Sequence, residues 1–231
     1  MDEIEVVVVR VFTDERGTNG NELGIVTSSP ATAGREQDIA AALGFSETVF
    51  IDALDESAGL ATIRIFTPAA ELPFAGHPSV GTAWWLAHER TPVGALAEKA
   101  GDVAVEVDLD ADAASIDARA EWTPAFTWLP LDTPAEVDAL DPFAFTEGQH
   151  YAYAWIDEAA GTLRARMFAP AMGIVEDEAT GAAAVALTAK LGRALRITQG
   201  EGSELVTEPL GDGLIRVGGT VVYDRTIDAT L

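Results

Sequence analysis

The chain has 231 residues, 48% of them apolar, which is enough to bury a sizeable core in one large domain or two small ones. Asp and Glu outnumber Lys and Arg by 38 to 14, giving a formal net charge of -24, so the surface repels phosphate backbones and anionic membranes. No cysteine is present, which excludes disulfides, thiolate metal sites and thiol nucleophiles. We therefore expect a folded protein without nucleic-acid or membrane partners.

The first residues, MDEIEVVVVRVF, carry acid where a secretory signal would carry Lys or Arg. No apolar stretch approaches the roughly 18 residues that cross a membrane as a helix. These features predict a soluble, cytoplasmic protein.

Valine-rich residues 4–12 end at a cluster of turn-forming residues and predict a strand, which residues 23–26 resume. Residues 35–44 have apolar side chains at helical spacing and a closing glycine, which predicts a short helix. Residues 45–51 then alternate like a strand. This alternation predicts one face with Phe45, Glu47, Val49 and Ile51, and another with Ser46, Thr48 and Phe50.

Glu47 thus shares an otherwise apolar strand face. Its carboxylate either lies at an exposed edge or is partly buried with a raised pKa. The second state suits a general base that works near neutral pH.

An internal repeat is the most informative feature of the sequence. Four residues of RIFTPA recur at the same spacing in RMFAPA, 102 positions later: Arg64, Phe66, Pro68 and Ala69 match Arg166, Phe168, Pro170 and Ala171. Each stretch is followed by a glycine-bearing turn and an alanine-rich helix. A duplicated α+β unit is therefore predicted.

The first of these turns, PFAGHP at 73–78, precedes a predicted helix from about Ser79 to His88. Its backbone N–H groups could bind a ligand beside His77. The alternative is that Ser79 caps the helix and His77 makes a structural hydrogen bond.

The second turn, EDEATG at 176–181, leads into a predicted helix near Thr180, with Asp177 or Thr180 as an ordinary N-cap. A cap does not require Gly181, where glycine costs about 1 kcal/mol relative to alanine, whereas close approach of a ligand does. The turn is therefore a candidate binding site.

The remaining sequence predicts strands and a connection at 102–155, and a strand pair that turns at Gly218 and Gly219. The predicted domains are residues 1–108, joined by a C-terminal strand at about 221–231, and residues 109–220. The three histidines form no metal-ligand spacing, so no metal site is predicted.

Five stretches together resemble the PhzF family of phenazine-biosynthesis-like isomerases: NGNELGIV at 19–26, SETVF at 46–50, IRIFTPAAELPFAGHPSVGTA at 63–83, RMFAPAMGIVEDEATGAAA at 166–184 and ITQG at 197–200. The resemblance implies the diaminopimelate-epimerase-like fold, an α+β fold of two pseudo-symmetric domains, each a curled mixed sheet around a central helix. It also implies a homodimer that works without a cofactor on a small carboxylate metabolite held in the cleft between the domains.

By this resemblance, Glu47 is the general acid and base of a cofactor-independent isomerase or epimerase, assisted by His77 and Asp177. The substrate would contact Asn21, Gly76, Pro78, Gly181 and Ala182, with its carboxylate on backbone amides at the two helix starts.

Two residues depart from the family pattern. Ala182 replaces a serine that would help to position substrate, and Glu178 replaces a proline. The substrate is therefore not expected to be that of phenazine biosynthesis. The loss of the hydroxyl group also motivates an alternative, a non-catalytic metabolite-binding or interaction protein that retains the cleft.

Overall fold

The computed structural model describes residues 3–230, without the side chain of Ala171, as a mixed α/β chain dominated by strands. The strands are β1 (Glu3–Thr13), β2 (Asn21–Thr27), β3 (Glu47–Asp55), β4 (Leu60–Phe66), β5 (Glu71–Leu72), β6 (Ala95–Glu98), β7 (Gly101–Asp108), β8 (Ala113–Arg119), β9 (Thr127–Pro130), β10 (His150–Asp157), β11 (Thr162–Ala169), β12 (Ile174–Asp177), β13 (Leu195–Gln199), β14 (Ser203–Gly211) and β15 (Leu214–Thr230). The α-helices are α1 (Glu36–Leu43), α2 (Gly76–His88), α3 (Pro134–Asp138) and α4 (Gly181–Leu191). None of the helices in this range is long and apolar enough to cross a membrane.

The strands follow one pairing order twice. In the first set β2 lies parallel to β3, β4 is antiparallel to β3, β6 is parallel to β4, and β7 and β8 follow antiparallel. In the second set β9, β10, β11, β13, β14 and β15 repeat these relations in the same order. The register repeats as well, since Thr48 pairs with Phe66 and His150 pairs with Phe168. The sequence repeat is therefore a repeat of structure.

Helix α2 is the centre of the first set. It packs against β2 and β8, which lie at opposite ends of the set, so the sheet must curl around it. Most of its residues are buried, as expected of a helix that is apolar all round. Helix α4 packs in the second set against β14 and β15.

The division into two domains at residue 108 stays a prediction. A boundary after β8 would keep both sets of six strands intact.

Two predicted element boundaries are corrected by the structure. Helix α2 begins at Gly76 rather than Ser79, so the PFAGHP turn supplies its first residues. Strand β3 begins at Glu47, and Phe45 lies in a separate apolar cluster with Phe50 instead of sharing the face of Glu47. The alternation rule fails there because it holds only within the strand.

The predicted strand pair at Gly218 and Gly219 is wrong, because β15 runs through both residues without a turn. The reason for these glycines is close packing. A Cβ atom on Gly218 would lie 2.6 Å from the carbonyl oxygen of Ala114, and one on Gly219 would lie 2.7 Å from that of Glu204. Strand β15 thus passes too close to its neighbours for any side chain at these positions.

We expect Gly218→Ala to lower the free energy of unfolding by roughly 1–3 kcal/mol, because the new methyl group must displace backbone of β8. Gly94→Ala is the matched control, since its nearest atom, the Gly59 carbonyl oxygen, would be 3.8 Å from the new Cβ. Urea unfolding measures both variants. Equal stability of the two would contradict the packing explanation.

Candidate active site

A cavity of about 440 Å³ lies where the N-termini of α2 and α4 meet. Its wall is mainly apolar and includes Leu72, Phe74, Trp122, Phe126, Met167 and Ile174. Six polar side chains also line it: Glu47, Thr67, Thr123, Gln149, Asp177 and Thr180. No Lys, Arg or His belongs to the part of the wall that the described residues form. A polar ligand must therefore be recognised here mainly by acids, amides, hydroxyls and backbone groups.

Glu47 is held at this wall by the start of β3. It shares the inward face of the strand with Val49 and Ile51, and it is only 9% exposed. Its Oε2 atom is buried without a hydrogen-bond partner among residues 3–230. Burial raises the pKa of Glu47 well above its usual value, and the charge of Asp177 raises it further. The surroundings of Glu47 therefore favour its protonated form, which corresponds to the buried alternative of the sequence.

His77 lies next to Glu47 in the first turn of α2. Its Nε2 atom is 3.5 Å from Oε2 of Glu47, and the residue is 3% exposed. Burial lowers the pKa of His77 to about 3, although the main chain of Glu22 acts in the opposite direction. The ring is therefore neutral near pH 7, and its contact with Glu47 is not an ion pair.

Asp177, at the end of β12, accepts hydrogen bonds from Asn21 Nδ2 at 2.7 Å and from Thr180 Oγ1 at 2.5 Å. Burial raises the pKa of Asp177 to about 6, while these two hydrogen bonds lower it. Since donors favour the ionised form, Asp177 holds negative charge more readily than Glu47 does.

The donors of Asp177 are themselves fixed by further hydrogen bonds. Ser46 Oγ donates to Asn21 Oδ1 at 2.8 Å, and Gln199 Nε2 donates to Thr180 Oγ1 at 2.8 Å. Tyr151 in turn donates to Gln199 at 3.0 Å. The ITQG stretch of the sequence, which includes Gln199, thus supports the site from behind.

The two helix starts touch through glycine. A Cβ on Gly76 would lie 2.8 Å from Cα of Gly181, and one on Gly181 would lie 2.9 Å from Cα of Gly76. The prediction that Gly181 serves ligand approach therefore needs correction, because contact between the helices already requires it. Any larger residue would separate the helix ends.

Neither helix is capped by the side chain of its N-cap residue, Ala75 in α2 and Thr180 in α4. The alternative of ordinary side-chain caps does not hold: Ser79 lies inside α2, and Thr180, although at the N-cap position of α4, directs its hydroxyl group to Asp177. The first amides of both helices thus lack side-chain caps, and the positive ends of two helix dipoles converge.

The remaining predicted residues have different surroundings. Ala182 lines the cavity, whereas Pro78 is buried in the first turn of α2 and does not form part of the wall. Glu178 accepts hydrogen bonds from the Glu201 amide at 2.9 Å and Ser203 Oγ at 2.8 Å. The carboxylate of Glu178 therefore links the EDEATG turn at 176–181 to the turn at 201–203, and it does not line the cavity.

Gln149, Trp122 and Phe126 were not predicted as site residues, although all three line the cavity. Gln149 had a detectable signal, since it stands 102 positions after Glu47, which is the offset of the repeat. The two aromatic residues lie in the acidic connecting stretch, where no sequence pattern marked them. Within the described range 3–230, no group of three or more acidic or histidine side chains is placed to hold a metal ion.

The PhzC-PhzF family model, described as phenazine biosynthesis-like protein, matches residues 9–153 and 146–207. The trans-2,3-dihydro-3-hydroxyanthranilate isomerase of Pseudomonas fluorescens is 34% identical over 206 residues, covering 74% of this chain and 73% of the relative. The isomerase of the same name from Pseudomonas aeruginosa is 30% identical over 236 residues, covering 87% and 84%. The chain belongs to the PhzF family of isomerases.

Solved structures agree on the fold. A PhzF-family protein of Bacillus anthracis superposes with a TM-score of 0.79 at 20% identity, covering 100% of both chains. A probable proline racemase of Agrobacterium radiobacter gives 0.66 at 12% identity, covering 99% of this chain and 93% of the other. At these identities the likeness supports the architecture alone, which this PhzF-family protein shares with racemases.

Glu98 is a buried acid behind the start of α2, outside the cavity wall. The hydroxyl of Ser79 lies 2.7 Å from the Ala75 carbonyl oxygen and 2.5 Å from Glu98 Oε1. The Ser79 hydroxyl donates to Glu98 Oε1. Burial raises the pKa of Glu98 to about 8, although the hydrogen bond from Ser79 lowers it.

Because the folded-state pKa of Glu98 is raised, its stabilising contribution is complete below its ordinary pKa near 4.5 and is lost as pH rises to about 8. We expect Glu98→Gln to remove this loss, so that the variant gains stability relative to wild type by a few kcal/mol between pH 5 and pH 9. Urea unfolding at both pH values measures the difference.

Glu36→Gln is the control of opposite sign. Burial raises the pKa of Glu36, but the hydrogen bond from Arg64, main-chain hydrogen bonds and the charge of Arg64 together outweigh it, and the net pKa is lowered. The contribution of Glu36 is therefore lost only as pH falls below its ordinary pKa near 4.5, so the stability of Glu36→Gln relative to wild type should stay constant between pH 5 and pH 9. An equal gain in both variants over this range would show that Glu98 is not the group responsible.

We also expect Asp177→Asn to lower the pKa of Glu47, because the substitution removes the charge that helps to hold the proton there. Carbon-13 NMR of glutamate-labelled protein, with Glu47→Gln to assign the resonance, gives the titration midpoint. A midpoint that stays constant or rises would show that the two carboxyl groups do not interact.

Proposed function

We propose that this PhzF-family protein is a cofactor-independent isomerase that moves a proton on a small carboxylate metabolite, with Glu47 as general acid and base. One observation carries the proposal: the carboxyl group of Glu47 faces a mainly apolar cavity and makes no hydrogen bond to residues 3–230. A carboxyl group with these surroundings is available for proton transfer to a ligand.

The raised pKa of Glu47 makes its ionised form a stronger base than an exposed carboxylate, while its protonated form can return the proton. One group can thus take a proton from one carbon and deliver it to another, with no net change in protons or electrons. Asp177 assists by keeping this pKa high, and neutral His77 contacts the carboxyl group and restricts its orientation.

The substrate carboxylate would lie at the converging starts of α2 and α4. Loss of a proton from a carbon conjugated with this carboxylate spreads negative charge onto its oxygens. Free amides near Gly76, His77, Gly181 and Ala182, together with two helix dipoles, would stabilise that charge. Asn21 would contribute by orienting Asp177.

The apolar wall favours a substrate whose body is a small ring or a branched hydrocarbon. The curated relatives are named for trans-2,3-dihydro-3-hydroxyanthranilate, which is the first compound to test. Ala182 offers no hydroxyl group to a substrate, so we propose a related carboxylate with different polar contacts. We further propose that the protein is a cytoplasmic homodimer.

Glu47→Gln should abolish transfer of solvent deuterium into the substrate, lowering the exchange rate by at least about 100-fold, because an amide cannot carry the proton. Proton NMR in D2O measures this, first with trans-2,3-dihydro-3-hydroxyanthranilate and then with a metabolite extract. Glu98→Gln is the matched control, since it makes the same chemical change at another buried acid outside the cavity wall.

Undiminished exchange in Glu47→Gln would remove Glu47 from the mechanism. Ligand binding without exchange in wild type, for every metabolite tested, would instead favour the binding-protein alternative.

A further inference from the structure

Gln149 is the structural counterpart of Glu47 in the second set of strands. Glu47 precedes Thr48, which pairs with Phe66, and Gln149 precedes His150, which pairs with Phe168. Both pairs are related by the 102-residue offset of the sequence repeat. The duplication therefore places an amide where the first half has its acid.

Gln149 also faces the same space as Glu47. It directly precedes β10, and it is among the residues that line the cavity. Its main-chain oxygen accepts a hydrogen bond from the Thr127 amide at 2.8 Å, which fixes the backbone at this point. Gln149 and Glu47 thus line one cavity, although they belong to different sets of strands.

The two counterparts share a property that separates them from the other polar side chains of the wall. Thr67, Thr123, Asp177 and Thr180 all bond to protein atoms. Glu47 and Gln149 make no side-chain hydrogen bond to any of the residues that the structure describes. In a mainly apolar wall, such an amide has unused donor and acceptor capacity that a ligand can satisfy.

We propose that Gln149 is a specificity-determining residue that hydrogen-bonds a neutral polar group of the substrate, such as a hydroxyl or amino group, in the cavity that Glu47 also lines. This inference rests on the proposed function and deepens it. An amide both donates and accepts, and it carries no charge at any pH at which the protein is folded. The described wall offers no cationic side chain to a second anion, so a substrate with two carboxylates is disfavoured.

The shape of the wall near Gln149 limits the substrate further. Phe74 and Trp122 pack with ring centroids 5.7 Å apart, and Phe126 also lines the cavity. These rings contact the apolar body of a ligand, while the helix starts hold its carboxylate. The predicted substrate class is thus a ring monocarboxylate with a neutral hydrogen-bonding substituent.

Three unreactive ring carboxylates test the role of Gln149: benzoate, anthranilate and 3-hydroxyanthranilate, which differ in amino and hydroxyl substituents. Isothermal titration calorimetry measures their binding to wild type, Gln149→Leu and Gln149→Asn. Leucine keeps the approximate volume and removes the hydrogen bonds, so we expect 3-hydroxyanthranilate to bind about 3–10-fold more weakly while benzoate affinity stays constant. Asparagine, which keeps the amide group, should recover part of the difference.

Equal weakening of all three ligands in Gln149→Leu would mean that Gln149 acts only through packing, and unchanged affinity for all three would mean that it does not contact ligand. Either result overturns the proposal, as does failure of all three to bind wild type. Selective weakening combined with undiminished deuterium exchange in Glu47→Gln would keep the role of Gln149 and reject the proposed function.

Discussion

The contact between Gly76 and Gly181 is the constraint on which the site depends. Two helix starts meet at backbone distance, so neither helix can carry a side chain at the contact. The geometry brings the positive ends of both helices to one point and leaves their first amides without side-chain caps. Such an arrangement is unfavourable unless negative charge lies near it. Asp177 supplies that charge in the structure, and a substrate carboxylate can add to it.

The same contact explains why the site is asymmetric although the fold is duplicated. The equivalent positions around the glycines hold different residues: Gln149 corresponds to Glu47, and Ala182 in the second half corresponds to His77 in the first. The duplicated backbone supplies two helix ends and a cavity between them. The differences in side chains then give one half the proton carrier and leave the other half without an ionisable group at that position.

Local patterns predicted much of the fold. Strand β1, helix α1 with its closing Gly44, and the repeat could be predicted because each depends on residues close in sequence. The path of β15 could not be predicted in this way. Two consecutive glycines are typical of a turn, but Gly218 and Gly219 are required here by close packing against residues more than 14 positions away in sequence. The same limit applied to the site. Glu47 could be predicted because it is the one acid on an apolar strand face. Trp122 and Phe126 could not, because only the folded chain brings them to the cavity.

The course of β15 has a consequence for the order in which the chain can fold. Residues 3–13 pair with residues 220–230 along β1 and β15, so the sheet around α2 includes a strand made more than 200 residues after its partner. During synthesis the valine-rich strand β1 must remain without this neighbour until residues 220–230 have left the ribosome. Contacts between such distant segments slow folding, because a long loop must close before they form. The acidic surface keeps partly folded chains apart by charge repulsion during that interval.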